Sequence, residues 1–213
     1  MGFDQKSHHH AYDLYTHIAH VTAATPPDLV LRWAALLHDV GKPGIFTTDA
    51  AGCGHFYGHA GESATIADAV LRRLKAPTRL REDVVTLVEL HMIRIEPTKK
   101  VVRRWLSRLG RPTLDKLLAL QKADMISKGV DVTRELSQFS NIQTILDEID
   151  VENACLSLKD LAVKGNDLMA LGITGKDIGL CLNRLLDLVL DEQLPNEKTA
   201  LLDAASAIWE ELT

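Results

Sequence analysis

Apolar residues recur at helical spacing through most of the chain, and short breaks rich in Gly, Pro, Asp and Thr separate the segments. From Ala11 the first segment places Leu14, Ile18 and Val21 on one face, with His17 and His20 a helical step apart. Pro26-Pro27-Asp28 opens a second helix, Leu29 to about His38, with Leu29, Trp33, Leu36 and Leu37 apolar. A third is expected over Ala60 to Leu74, burying Ile66, Val70, Leu71 and Leu74. Pro77-Thr78 starts a fourth, in which Val84, Val85, Leu87, Val88 and Leu90 lead up to His91. Pro97-Thr98 opens a basic helix that Gly110-Arg111-Pro112-Thr113 closes. A long apolar helix then runs from Leu114 to Ile126 and carries Asp124, and an amphipathic segment covers Val132 to about Ile149.

Two regions depart from this rhythm. Ile45-Phe46-Thr47-Thr48 and His55-Phe56-Tyr57 flank a Gly-containing break, which reads as a short hairpin or an ordered loop. Beyond Leu156 the segments shorten and Gly punctuates them, until two closing helices, about Ile178 to Glu192 and Glu197 to Leu212, are separated by Pro195. The expected fold class is all-α: a helical bundle with one short β-hairpin or loop excursion and a small helical C-terminal extension. A soft boundary near residues 150 to 157 divides it into residues 1–150 and 151–213. No internal repeat or low-complexity tract interrupts it.

Composition narrows the class. The 213 residues suffice for one large domain or one domain with an appendage. A formal net charge of −5 argues against a general nucleic-acid coat and leaves room for a local basic patch. Cys53, Cys155 and Cys181 lack a CxxC, which fits a reducing compartment and gives no thiolate zinc site. No continuous apolar run of signal-peptide type occurs near the start. Ile178 to Leu190 is interrupted by Asn183, Arg184 and Asp187 and is too short to span a bilayer. The expectation is a soluble cytoplasmic protein with no membrane partner. The apolar content of the last two helices is compatible with a homodimer.

The chemistry concentrates where the second helix ends, at Leu36-Leu37-His38-Asp39-Val40-Gly41-Lys42-Pro43. An imidazole beside a carboxylate suits divalent metals of intermediate hardness. Adjacent side chains diverge by about 100° on a regular helix, so both reach one site only near a helix end. Gly41 and Pro43 supply that end. His17, His59, His91 and Asp124 likewise lie next to or inside apolar helical patterns, where ionisable groups are costly unless paired or metal-bound.

The order His17, His38-Asp39, His59, His91, Asp124 resembles the HD superfamily of metal-dependent phosphohydrolases over about residues 10 to 130. The resemblance implies a first metal held by His17, His38, Asp39 and Asp124. It implies a second, in binuclear members, held by His59 and His91 with Asp39 bridging. One or two divalent ions are therefore expected, with manganese, magnesium, nickel, cobalt, iron and zinc all compatible with such ligands. The implied reaction is hydrolysis of a phosphate ester, for which a metal supplies a nucleophile at neutral pH and neutralises phosphate charge. Asp39 is the expected catalytic centre. Lys42 is read either as a phosphate-binding cation or as a cation capping a helix C-terminus. His20 and His55 fit no slot in the pattern, and His10 is a candidate for the pocket rim.

A closer resemblance covers nearly the whole chain. Gly2-Phe3-Asp4-Gln5, His10 to His17, Leu31 to Pro43 and Gly54 to His59 are similar to the HD region of bacterial tRNA nucleotidyltransferases (CCA-adding enzymes) and their poly(A) polymerase relatives. Gly165-Asn166-Asp167-Leu168, Gly172, Gly175, Ile178-Gly179 and Leu194-Pro195-Asn196 resemble their carboxyl-terminal part, which implies a tRNA-binding body. The Gly-Ser motif and paired-aspartate strand of the catalytic head are not in this sequence, so nucleotide addition is not expected of it. Lys100, Arg104 and Arg108 follow a four-residue step beside Lys99, Arg103, Arg94 and Arg111, with only Glu96 offsetting them locally. Arg94, Lys100, Arg103 and Arg104 are thus candidates for steering RNA phosphates, against the alternative of a solvated helix face. Gly172-Ile173-Thr174-Gly175-Lys176 resembles a phosphate-contacting helix-hairpin-helix turn, or is a plain helix cap. The leading expectation is a metal-dependent phosphatase or phosphodiesterase, 2′,3′-cyclic esters included, acting on a nucleotide or RNA end. The alternative is an RNA- or tRNA-binding module, or a separate nucleotidyltransferase subunit, with a structural HD site.

Overall fold

A computed structural model describes residues 3, 11–50, 52–152 and 154–212. The chain is all-α apart from one two-stranded antiparallel hairpin among the described residues. Its helices are α1 (Leu14–Ala24), α2 (Leu29–Leu37), α3 (His59–Arg73), α4 (Thr78–Leu90), α5 (Lys99–Leu109), α6 (Arg111–Ile126), α7 (Thr133–Val151), α8 (Gly165–Ala170), α9 (Lys176–Leu190) and α10 (Lys198–Leu212). A 3-10 turn at Lys42–Ile45 leads into β1 (Thr47–Thr48), which pairs with β2 (Gly54–His55). Two compact units result, one formed by residues 1–94 and 111–140, the other by residues 95–110 and 141–213. Packing thus assigns α5 to the second unit, and α7 passes from the first into the second.

In the first unit, α2 starts where the sequence signals it, while α1 begins at Leu14 rather than Ala11 and α6 at Arg111 rather than Leu114. Asp13 Oδ1 accepts from the Thr16 amide at 2.7 Å to cap α1, and Asp28 Oδ1 accepts from the Leu31 amide at 3.0 Å to cap α2. Helices α2, α4 and α6 pack against one another, with α1 laid on α2 and α6 and with α3 on α4. The core holds Val21, Ala34, Ala35, Leu71, Val84, Leu87, Val88, Leu114, Leu117 and Leu120, all at or near zero exposure.

The buried faces differ in detail from the expected ones. α2 turns Leu31, Ala34, Ala35 and Leu37 inward, whereas Leu29 and Leu36 are exposed. α3 buries Ser63, Ala64, Ala67 and Leu71, while Leu74 is exposed. Close approach is the reason: the Gly41 amide donates to Ser63 Oγ at 2.9 Å, so the turn after α2 lies directly on α3 and leaves room only for small side chains.

The second unit has its own core, in which Leu161, Val163, Leu168, Ile173, Cys181, Leu185, Val189, Leu201 and Ala205 are buried together. α9 is its centre and packs on α5, α8 and α10. The Asn196 side chain fastens the loop before α10 by accepting from the Ala162 amide at 2.8 Å and donating to the Asp160 carbonyl at 2.9 Å. At the glycine-rich turn, the Ile173 amide returns to the Leu168 carbonyl at 3.2 Å while Gly172 adopts φ +87°, a helix-ending arrangement. Among the described residues no helix is long and apolar enough to cross a membrane.

The Gly41 contact gives a direct test. A Cβ there would meet the Ser63 amide nitrogen at 2.6 Å and Glu62 Cβ at 2.9 Å, neither at the end of a flexible side chain. Gly41→Ala is expected to destabilise the first unit by about 1–3 kcal/mol through overpacking. Thermal unfolding should show a clearly lowered midpoint, and an unchanged midpoint would contradict this account.

Candidate metal centre

The helix ends of the first unit bring His17, His38, Asp39, His59, His91 and Asp124 together. All are buried, as is Lys42. His17 comes from the core face of α1, beside Leu14 and Val21. His38 and His91 are the C-cap residues of α2 and α4, His59 is the first residue of α3 and Asp124 lies in the last turn of α6. Gly58, at φ +82°, provides the left-handed turn that aims His59 inward.

One local device orients the rings. His38 Nδ1 donates to the Ala35 carbonyl at 2.8 Å, His59 Nδ1 to Phe56 at 2.9 Å and His91 Nδ1 to Val88 at 2.6 Å, each three residues back. His17 Nδ1 faces the Ser127 carbonyl at 3.3 Å. Carbonyls near a helix terminus lack an intrahelical partner, so a terminal histidine satisfies one and fixes its own tautomer in the same bond. The hydrogen-bond network thereby assigns the proton to Nδ1 and leaves the Nε2 lone pair facing inward. The Gln121 amide ties the ends of α4 and α6 together by donating to the carbonyls of His91 at 3.1 Å and Ile93 at 2.7 Å.

Asp39 sits between two donor groups. Its Oδ2 lies 3.5 Å from His17 Nε2 and 3.3 Å from His38 Nε2, while Asp124 Oδ1 is 3.0 and 3.7 Å from the same two nitrogens. Its Oδ1 lies 3.1 Å from His59 Nε2 and 3.7 Å from His91 Nε2. Ligand bonds of about 2.0–2.2 Å place neighbouring donors about 3.0–3.5 Å apart, which these separations approach. Two observations make the fit chemical as well as geometric. His38 Nε2 is buried yet makes no well-formed hydrogen bond among the described residues. His59 and His91 bring Nε2 atoms to 3.2 Å, although both rings spend their proton on the opposite nitrogen. Facing lone pairs repel unless they share a cation or a proton. His17, His38 and Asp124 form one donor group able to hold a metal, and Asp39, His59 and His91 a second.

The two groups differ electrostatically. Burial works against a charged His38, but the Asp39 charge and the nearby Asp124 carboxylate prevail and push it up to about 10. His17 is raised against the same penalty by Asp124 and Asp39. Asp39 and Asp124 stay ionised well below the usual carboxylate range despite burial, Asp39 chiefly through the His38 charge and Asp124 through hydrogen bonds from His17 and His38. His91 moves down, through burial first and the His38 cation next, against the pull of Asp39. The His17–His38 side thus attracts positive charge, whereas His91 favours a neutral ring.

A cavity of about 330 Å³ opens onto Asp39, Lys42, His59 and Asp124, with Phe56 and Lys128 among its walls. Lys42 Nζ lies 2.6 Å from Asp39 Oδ2 and 5.3 Å from the Phe56 ring centre. Lys128 escaped the sequence reading. Its Nζ lies 3.3 Å from Asp124 Oδ2, and the only signal was its position four residues after that acid.

The basic candidates lie elsewhere in the chain's organisation. Arg94 is exposed at the end of a segment of the first unit. Lys100, Arg103 and Arg104 belong to the second unit and are ion-paired there. Arg104 Nε and Nη2 donate to Asp191 at 2.7 and 2.9 Å, and Lys100 Nζ lies 2.9 Å from the same carboxylate. Arg103 meets Glu152 and Glu192, each at 3.1 Å. Arg104 and Lys100 hold Asp191 down at about 2. His20 is exposed against the Tyr12 ring, and His10 lies outside the described residues. Asp49, Cys53 and His55 gather on the hairpin, Asp49 exposed and the other two half-buried, with His55 Nε2 2.9 Å from Asp49 Oδ2.

The geometry predicts metal stoichiometry and its pH dependence. His91→Ala should cost one bound ion and Asp39→Ala both, as read by elemental analysis of dialysed protein. Because His38 holds a proton through neutral pH, an incoming ion must displace it, so affinity rises with pH by up to about tenfold per unit for each proton released. Manganese titrations from about pH 6 to about pH 8 check the sign; affinity that falls with rising pH would contradict it.

Comparison with known proteins now bears on the chain as a whole. The family model described as tRNA nucleotidyltransferase domain 2 matches residues 55–205. The A-adding tRNA nucleotidyltransferase of Deinococcus radiodurans is 32% identical over 197 residues, covering 87% of this chain and 44% of that protein. The CC-adding tRNA nucleotidyltransferase of Thermus thermophilus is 35% identical over 164 residues, 75% of this chain and 36% of the relative. A multifunctional CCA protein of Aromatoleum aromaticum is 43% identical over 89 residues, 40% of this chain and 21% of its own. The chain therefore spans less than half the length of the curated relatives it matches. With the match running from the hairpin into the last helix, the chain belongs to the tRNA nucleotidyltransferase domain 2 family.

Proposed function

We propose that this chain is a cytoplasmic, tRNA-directed module of the nucleotidyltransferase type, whose task is to engage a tRNA or a related RNA end. The names of its relatives support this reading, as does the span of the family match, which includes the second unit. The basic face of α5 is suited to exchange carboxylate partners for RNA phosphates, because the Lys100 and Arg104 side chains keep 50% and 48% of their surface and ion pairs with such access hold only about 0–1 kcal/mol each. Lys100, Arg103 and Arg104 are the side chains assigned to that contact, and Arg94, in the first unit, is a separate candidate for a phosphate.

A second reading rests on one observation: the Asp39 carboxylate, buried between two donor groups, opens onto a cavity with two lysines. In it the module is also a metal-dependent phosphohydrolase for a nucleotide or RNA end. His17, His38, Asp39 and Asp124 would hold one ion, and His59 and His91 with Asp39 a second. A divalent ion held there would supply a nucleophile at neutral pH and would offset phosphate charge. The protein's own part is to keep the Nε2 lone pairs aimed inward, to share Asp39 between both groups and to present Lys42 to the phosphate.

Two assays separate the readings. A screen of phosphomonoesters, phosphodiesters and 2′,3′-cyclic nucleotides with each divalent metal should give turnover that Asp39→Ala reduces to background. Silence across the screen in the metal-loaded protein would leave the RNA-module reading alone. For that reading, tRNA binding should weaken steeply with salt, as expected when cations displace counterions. Asp191→Asn should tighten binding several-fold by releasing Lys100 and Arg104, and tRNA affinity that ignores both salt and Asp191 would count against this surface.

A further inference from the structure

The cavity beside the metal centre has a charged floor and an apolar rim. Its floor is Asp39, Asp124 and His59, with Lys42 drawn inward onto Asp39. Lys128 differs from Lys42. Lys42 is almost fully buried, while the Lys128 side chain keeps 24% of its surface and meets Asp124 at 3.3 Å from the solvent side. A cation with that access can turn from the carboxylate to a phosphate oxygen without crossing the core.

The rim carries two large side chains whose exposure burial does not explain. Tyr57 is 82% exposed and Met92 57%, and both line this cavity. Tyr57 is also held in orientation. Its ring stacks on His55 with planes 8° apart and centroids at 5.3 Å, and His55 is fixed in turn by Asp49 at 2.9 Å. An aromatic ring pre-set just after a hairpin, with one face supported and most of its surface open, is the element that stacks flat heterocycles. A cavity of about 330 Å³ is within the range of small-molecule sites.

From this arrangement we propose that Lys128 and Tyr57 divide recognition of a nucleotide at this site, Lys128 joining Lys42 at the phosphate from the solvent side and Tyr57 taking the unpaired base. The inference deepens the phosphohydrolase reading and rests on the same cavity, but its test reads binding rather than turnover. A phosphate ester without a base would reach the floor and gain nothing at the rim. A base held in a duplex could not lay its face on Tyr57. The preferred ligand is therefore a free nucleotide or the frayed end of an RNA strand.

The experiment uses the full chain loaded with manganese and hydrolysis-resistant thiophosphate forms of a nucleoside monophosphate and of ribose. Wild type should bind the nucleotide more tightly, since stacking one base contributes about 1–3 kcal/mol. In Tyr57→Ala the ratio of the two affinities should fall about tenfold, with Tyr57→Phe restoring it. Lys128→Ala should weaken both ligands in parallel, and Lys128→Arg should recover them. Wild type binding both ligands equally would overturn the proposal, as would a ratio that survives Tyr57→Ala or affinities indifferent to Lys128→Ala. If these binding effects appear without turnover of any ester, the hydrolase reading fails and the recognition site stands. If esters turn over with no preference for a base, the reading stands and this inference fails.

Discussion

The first unit depends on how it keeps one carboxylate, Asp39, charged and almost fully buried. Desolvating an ionised carboxylate costs several kcal/mol even after relaxation, so partners must surround it. Asp39 has Lys42 at 2.6 Å on one oxygen, with His17 and His38 close to it, and has His59 at 3.1 Å on the other. These partners come from α1, α2, the 3-10 turn and α3, so the ends of those elements must meet at one point. The close contact of Gly41 with Ser63 follows from that requirement: α3 can deliver His59 only if the turn after α2 lies against it.

Helix termini serve a second purpose here. His38 and His91 close α2 and α4 and use one nitrogen to satisfy a carbonyl three residues back. The same bond that completes the helix sets the tautomer, so the inward nitrogen is a lone-pair donor whenever the ring is neutral. Structural and chemical roles of these histidines are therefore one interaction. This also accounts for the contrast in their titration, because His17 and His38 gain a second carboxylate in Asp124 and move up, while burial moves His91 down.

The second unit uses charge differently. Its basic helix is covered by acids from distant parts of the sequence, in pairs that reach solvent through Lys100 and Arg104. Phosphate would bind such a surface only in competition with its own carboxylates, which would favour a multivalent ligand over a single phosphate. The two halves of the functional reading thus draw on different physics: a fixed, buried constellation for chemistry and an exchangeable, solvated one for RNA.

By itself the sequence determined most of the helices and the identity of the residues that converge. Helix starts are local events, so Pro26-Pro27-Asp28 marks the start of α2, whereas the Asp13 cap sets α1 to begin at Leu14 rather than Ala11. The ligand-type residues were legible because His17, His38, Asp39, His59, His91 and Asp124 stand out in apolar surroundings and in a familiar order. Tertiary structure alone decided which face of α2 and α3 is buried, since contact with the Gly41 turn outweighs the count of large apolar residues. It alone revealed that Asp191, 87 positions from Arg104, neutralises what reads locally as a bare basic stripe. It also brought Lys128 and Tyr57 to one cavity, although nothing in their local pattern links them. Short-range geometry repeats along a chain and can be read from it; pairings between distant segments depend on how helices cross, and that is fixed only when the whole core packs.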